Sequence, residues 1–122
     1  VGPNTGLGHN SIIFMIECQV HYVMQCIKEL NKQHADYLNV KAHAQRMFNE
    51  KVQSRFKGTV WNSGCSSWYQ QAGGKNVMLW PRATGRFWLE TRQVHAGSYD
   101  FVKCADLPRP TPVEALRAST AA

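Results

Sequence analysis

The chain has 122 residues, with 14 Lys and Arg against 8 Asp and Glu, a formal charge of +6, and a hydrophobic fraction of 43%. That length predicts one domain, whose core is small enough that packing defects matter. No run approaches the roughly 18 apolar residues of a membrane span, and Val1-Gly2-Pro3 is no charged start of a signal peptide.

The basic residues suit an anionic partner, yet Lys41, Arg46, Lys51, Arg55, Lys57, Arg82, Arg86 and Arg92 are spread out, as on a solvated basic face. The opening residues, VGPNTGLGHN, read as a loop: Gly2, Gly6 and Gly8 permit positive φ, and Pro3 rules out a central strand. The chain opens on that loop without an initiator Met, as a fragment or a processed product would. Asn10 is a suitable N-cap. Ile12, Ile13, Ile16, Val20, Val23, Ile27 and Leu30 then recur at spacings of three and four, which predicts a helix from about Ser11 to Lys32.

Asp36 begins a turn, and Tyr37 to Val40 is extended. A second helix is expected from Lys41 to Phe56, with Ala44, Met47, Phe48, Val52 and Phe56 as its apolar stripe and Gly58 as its stop. Beyond it, Thr59-Val60-Trp61 reads as extended and Asn62-Ser63-Gly64 as a turn. Ser67 to Gln70 and Asn76 to Trp80 read as two short strands joined by a tight Gly73-Gly74 turn. A short helix from Thr84 to Gln93 would bury Phe87 and Trp88. Residues 105–122, with Pro108, Pro110 and Pro112, read as a flexible Pro-rich tail.

Several patterns bear on chemistry. Glycines before a helix start let backbone approach a flat or anionic ligand, and the helix aims N–H groups and a positive dipole end at it. Gly6-Leu7-Gly8 is no Rossmann fingerprint, because Ser11 stands where the third Gly belongs. On spacing alone a plain structural loop is the better reading. Trp61, Trp68, Tyr69, Trp80, Phe87 and Trp88 lie among Arg82, Arg86 and Arg92, as in modules that stack single-stranded nucleic acid; the same aromatics also make an ordinary core. His9, His21, His34, His43 and His95 are scattered, and Glu17 with His21 is no complete metal set. Cys18, Cys26, Cys65 and Cys104 have no CxxC spacing, so free thiols in a reducing, cytoplasmic setting are expected. Cys65 reads as a turn residue, with no signature of a nucleophile.

Taken together, GPNTGLGHNS, IIFMIECQVHYVMQCI and TVWNSGCSSWYQQAGGKNVMLWP resemble the C-terminal end of class B flavoprotein monooxygenases, the group of the Baeyer–Villiger monooxygenases. The resemblance covers about residues 1 to 102. It rests on the Gly-Pro-Asn loop running into Ile16-Glu17-Cys18-Gln19, the Ser67-Trp68-Tyr69 triplet and the Gly73-Gly74-Lys75-Asn76 turn. By that resemblance Asn4, Thr5, Gly6, Leu7 and Gly8 line the FAD, while Trp68 and Lys75 lie against the nicotinamide cofactor. It implies that NADPH reduces FAD and that a flavin peroxide then inserts oxygen into a ketone or oxidises a heteroatom. The family's two GxGxxG motifs, its central fingerprint and its catalytic Arg are not in this sequence, and Trp80-Pro81-Arg82 replaces the common Trp-Pro-Gly.

The fold expected is thus α+β. It has two main helices, a short β-hairpin and an irregular Trp-rich C-terminal part, with residues 1–104 a fragment of a larger FAD-binding domain. No catalytic residue and no metal ligand is assigned, and no membrane or nucleic acid is expected as partner. The partners implied are the remainder of the monooxygenase chain and a small ketone or heteroatom substrate. The fragment alone is expected not to turn over, and it can dimerise to cover helix faces made for the missing part. Two other classes stay open. A basic nucleic-acid-binding module would bind in a salt-sensitive way, and a protein-interaction domain would act through the Pro-rich tail.

Overall fold

The computed structural model describes residues 2–6, 11–62, 69–71 and 73–106. Leu7, Gly8, Asn10, Cys65, Ser67, Trp68 and the tail from residue 107 lie outside the described residues.

Helix α1 is Ile12–Gln33. Its cap is Ser11, whose hydroxyl accepts the Phe14 N–H at 3.4 Å. The helix stops at His34, which takes the left-handed conformation at φ 50°. There the N–H of His34 donates to the Asn31 carbonyl and that of Ala35 to the Leu30 carbonyl. These bonds satisfy carbonyls that a helix end otherwise leaves open.

Strand β1 (Tyr37–Val40) follows, then helix α2 (Ala42–Ser54). Turns run on to Gly58, whose φ of 77° explains why glycine ends the helical region there. The extended run expected at Thr59-Val60-Trp61 is instead a 3-10 turn, Val60–Asn62. Thr59 causes this by folding back, its N–H and hydroxyl both donating to the Phe56 carbonyl. Helix α3 is Thr84–Thr91, and strand β2 is Tyr99–Val102. A last 3-10 turn, Cys104–Asp106, is held by the Cys104 N–H donating to Asp36 Oδ2 at 2.7 Å.

The architecture is α+β, but the sheet is not the expected hairpin. Strands β1 and β2 pair antiparallel, with Tyr37 opposite Val102 and Val40 opposite Tyr99. Strand β2 is missing from the sequence reading because four residues of mixed polarity carry no period of their own. The expected hairpin shrinks to one isolated bridge, Gln70 to Asn76, across Gly73 and Gly74 at φ 95° and 77°. After Asn76 the chain leaves that partner and runs beside the opening loop, with Leu79 bridged in parallel to Gly6.

The core contains Met15, Cys18, Val52, Phe56, Leu79, Trp80 and Phe87, with Trp61 and Tyr69 packed against it. Trp80 and Phe87 meet edge to face at 5.2 Å. Trp88, expected inside, is 45% exposed and lies under the Arg92 guanidinium at 5.6 Å. Helix α3 has one inward stripe, which Phe87 occupies.

Helix α1 is the largest departure. Its inward face supplies Met15 and Cys18 against α3, while the regular stripe of Ile12, Ile13, Ile16, Val20, Val23 and Ile27 is exposed. The periodicity marks a helix correctly, but the face it marks points away from this core.

Candidate functional site

The opening loop and the segment after the Gly73-Gly74 turn form one hydrogen-bonded seam. The Asn4 N–H donates to the Val77 carbonyl at 2.9 Å, and the Gly6 N–H donates to the Met78 carbonyl at 2.8 Å. The Trp80 N–H returns to the Gly6 carbonyl at 2.8 Å. Gly6 is required by space: a Cβ there would sit 2.9 Å from the Met78 carbonyl oxygen. Asn4 is required by shape, since its φ of 54° suits glycine and asparagine.

Two buried asparagines lock the seam. Asn4 Nδ2 donates to the Asn76 carbonyl at 2.9 Å and to the Leu79 carbonyl at 3.0 Å. Asn76 Oδ1 accepts from the N–H groups of Met78 at 3.2 Å and Leu79 at 3.0 Å. From α2, Gln53 clasps the Asn76 backbone on both sides: its Nε2 donates to the carbonyl at 2.7 Å and its Oε1 accepts the N–H at 3.1 Å. Asn76 is fully buried, and its Nδ2 has no hydrogen-bond partner among the described residues. Gln53 went unmarked in the sequence, where a Gln on a helix has no distinctive spacing, and Asn76 was marked only as the end of the Gly73-Gly74-Lys75-Asn76 turn, not as a residue whose side chain and backbone lock the opening loop.

The seam places three of the expected cofactor-lining residues together, Asn4, Thr5 and Gly6, and sets Lys75 one residue from Asn76. Leu7, Gly8 and Trp68 lie outside the described residues. The Asn4 side chain and the Asn4 and Gly6 amides are engaged inside the seam, so they shape the loop. Thr5 and Gly6 are half-buried at its surface, and Lys75 is exposed. The first turn of α1 carries no acidic residue, so its partial positive charge is not neutralised from within the helix.

Beside Thr5 opens a cavity of about 460 Å³, with Phe48, Trp80, Phe87, Tyr22 and Tyr99 among its walls. The Tyr22 and Tyr99 hydroxyls are 2.7 Å apart. Burial first, and then the hydrogen bond with Tyr99, push the Tyr22 phenol well above its ordinary pKa of 10.0. Glu90, which also lines the cavity, meets Arg55 at 3.2 Å, Lys51 at 3.3 Å and Arg82 at 3.9 Å. Three residues of the expected solvated basic face are thus gathered on one acid. Burial pushes the Glu90 carboxyl upward, but hydrogen bonds from Lys51 and Arg55 outweigh it and hold the group below 4.5. Among the described residues, no three of His, Cys, Asp and Glu come together as a metal site. None of the described helices is long and apolar enough to cross a membrane.

The class is that of FAD-binding monooxygenases, to whose C-terminal part the chain is homologous over its length. Within it, the chain is 41% identical over 124 residues to a Baeyer–Villiger monooxygenase of Streptomyces coelicolor, covering 100% of this chain and 24% of that protein. It is 45% identical over 101 residues to a Baeyer–Villiger monooxygenase of Pseudomonas aeruginosa, covering 81% of this chain and 19% of the relative. An FAD-binding monooxygenase of Aspergillus niger is 35% identical over 98 residues, covering 76% and 16%. The chain therefore spans a quarter or less of the length of these relatives. No family model matches it, and neither does any solved structure.

Proposed function

We propose that this chain completes the cofactor site of an FAD- and NADPH-dependent monooxygenase that oxidises a ketone or a heteroatom. The observation that carries the reading is the seam: a Gly-Pro-Asn loop fixed by Asn4, Asn76 and Gln53, leading to a helix start free of acids. FAD, when bound, supplies the redox chemistry, taking reducing equivalents from NADPH and activating dioxygen.

The residues fit such a group. A helix start with no internal carboxylate favours the electron-rich edge of a flavin. Asn4 and Gly6 hold the loop's shape, and Thr5, Gly6, Leu7 and Gly8 would lie along the ring. Asn76 ties that loop to the turn carrying Lys75, so a nicotinamide cofactor held by Trp68 and Lys75 would be in fixed register with the flavin. Oxygen transfer needs water kept out, which a hydrogen-bonded cover assists. The free thiols of Cys18, Cys26 and Cys104 support a reducing, cytoplasmic setting. The substrate is proposed as a small ketone or soft heteroatom compound by homology alone.

The test is the full-length protein, purified and scanned for flavin absorbance, then assayed for NADPH oxidation with ketone and sulfide panels. Bound FAD and NADPH-dependent oxygen transfer are expected, with weaker FAD retention in Asn4→Ala. A full-length protein that neither carries FAD nor binds it when added overturns the reading.

A further inference from the structure

Helix α1 has two apolar faces, and only one is used among the described residues. Met15 and Cys18 point into the core and are at most 5% exposed, and Tyr22 on the same side reaches Tyr99. The opposite face is the regular one. Ile12, Ile16, Val23 and Ile27 form a line along it, and Ile13, Val20 and Met24 broaden that line. All are exposed, from 39% at Ile12 to 66% at Ile13. Single exposed aliphatic residues are ordinary, but a continuous patch marks a contact.

The patch has a definite shape. At about 100° per residue the seven side chains cover about 120° of the helix. Glu17, His21 and Lys28 bound it on one side. From Ile12 to Ile27 it runs about 23 Å at 1.5 Å per residue. A two-helix seam is narrower than this. A membrane-surface helix needs cations along its polar face, whereas this face offers Glu17 and His21 beside Lys28. What fits is a broad apolar layer, such as a sheet or a pair of helices. The relatives are four to five times longer than this chain, and their matched part is C-terminal.

We infer that the outward stripe of α1 is the seat of the polypeptide that precedes this segment in the full-length protein. Helix α1 is then a middle layer, with the described core on one side and the preceding domain on the other. The inference rests on the reading of this chain as part of a longer monooxygenase, but not on flavin binding. It also explains why the chain's most hydrophobic helix contributes only two residues to the core among those described.

The test is thiol labelling of the full-length protein carrying Val20→Cys, Val23→Cys or, as the exposed reference, His21→Cys, with modified sites mapped by mass. Val20→Cys and Val23→Cys should react with a maleimide at least about tenfold more slowly than His21→Cys, because access requires local opening. That protection should hold at every protein concentration and without lipid. Labelling as fast as His21→Cys overturns the inference. So does protection lost on dilution, which would mark a second copy, or protection gained only with phosphatidylglycerol vesicles. Flavin absorbance of the same samples separates the two readings: a flavin-free protein that still shields Val20→Cys sinks the proposed function and leaves this inference standing.

Discussion

Asn4 and Asn76 are joined side chain to main chain, Asn4 Nδ2 donating to the Asn76 carbonyl at 2.9 Å across 72 positions of sequence. The bond is buried at both ends. It brings the opening loop to the turn that follows Gly74, and Gln53 fastens the same residue to α2.

Removing the donor tests that junction. Asn4→Asp should destabilise the full-length protein by about 1–3 kcal/mol, because a carboxylate would face the carbonyl oxygens of Asn76 and Leu79 that now accept hydrogen bonds. Asn4→Gly keeps the left-handed backbone and should cost less. Thermal unfolding of both variants, read beside FAD retention, checks the order.

Gly6 and Gly85 make a matched pair. A methyl at Gly6 would meet the Met78 carbonyl oxygen at 2.9 Å, while a methyl at Gly85 in α3 meets nothing within 4 Å. Gly6→Ala should therefore force the seam apart and lower stability by about 1–3 kcal/mol. Gly85→Ala should raise it by up to about 1 kcal/mol, through lost freedom in the unfolded chain. Equal effects in denaturant melts would contradict the tight approach at Gly6.

The acid at the centre of Lys51, Arg55 and Arg82 predicts a pH dependence. Glu90 is held below its ordinary 4.5 in the folded state. A depressed carboxyl contributes stability above its unfolded pKa and loses it as pH falls through the folded one. Glu90→Gln should cost about 1–2 kcal/mol at pH 7. The gap to wild type should close as pH falls below 4.5. Unfolding curves at stepped pH measure it, and a gap that stays constant into acid would argue against the charge as its cause.

At the alkaline end the sign reverses. Tyr22 has its pKa raised above the ordinary 10.0, so the neutral phenol contributes stability that is present below 10.0 and is lost as pH rises toward the folded pKa. Tyr22→Phe removes the hydroxyl pair with Tyr99, costing about 1 kcal/mol at neutral pH. In an ultraviolet titration the variant should lose a tyrosine that ionises above pH 10.0 in the folded protein.

The sequence by itself determined the helices, strand β1 and the family. The spacing of Ile12 to Leu30 marked α1 to within one residue at each end, Tyr37 to Val40 gave β1, and Gly58, Gly73 and Gly74 stood where φ is positive. These features are legible because helix period, strand composition and left-handed backbone each act over a few neighbouring residues. The glycine loop and its helix, joined to the Gly-Gly-Lys-Asn turn, carried the family resemblance.

Tertiary structure alone decided the pairings. Strand β2 needs β1, some 60 positions earlier, to be a strand. The segment after Asn76 left its hairpin for the opening loop because Asn4 and Gly6 offered donors for its carbonyls. Periodicity tells that a helix has an apolar face, but not which surface covers it. Here α1 turns Met15 and Cys18 inward and leaves its isoleucine stripe outward, since burial depends on where other elements lie and not on the helix's own sequence.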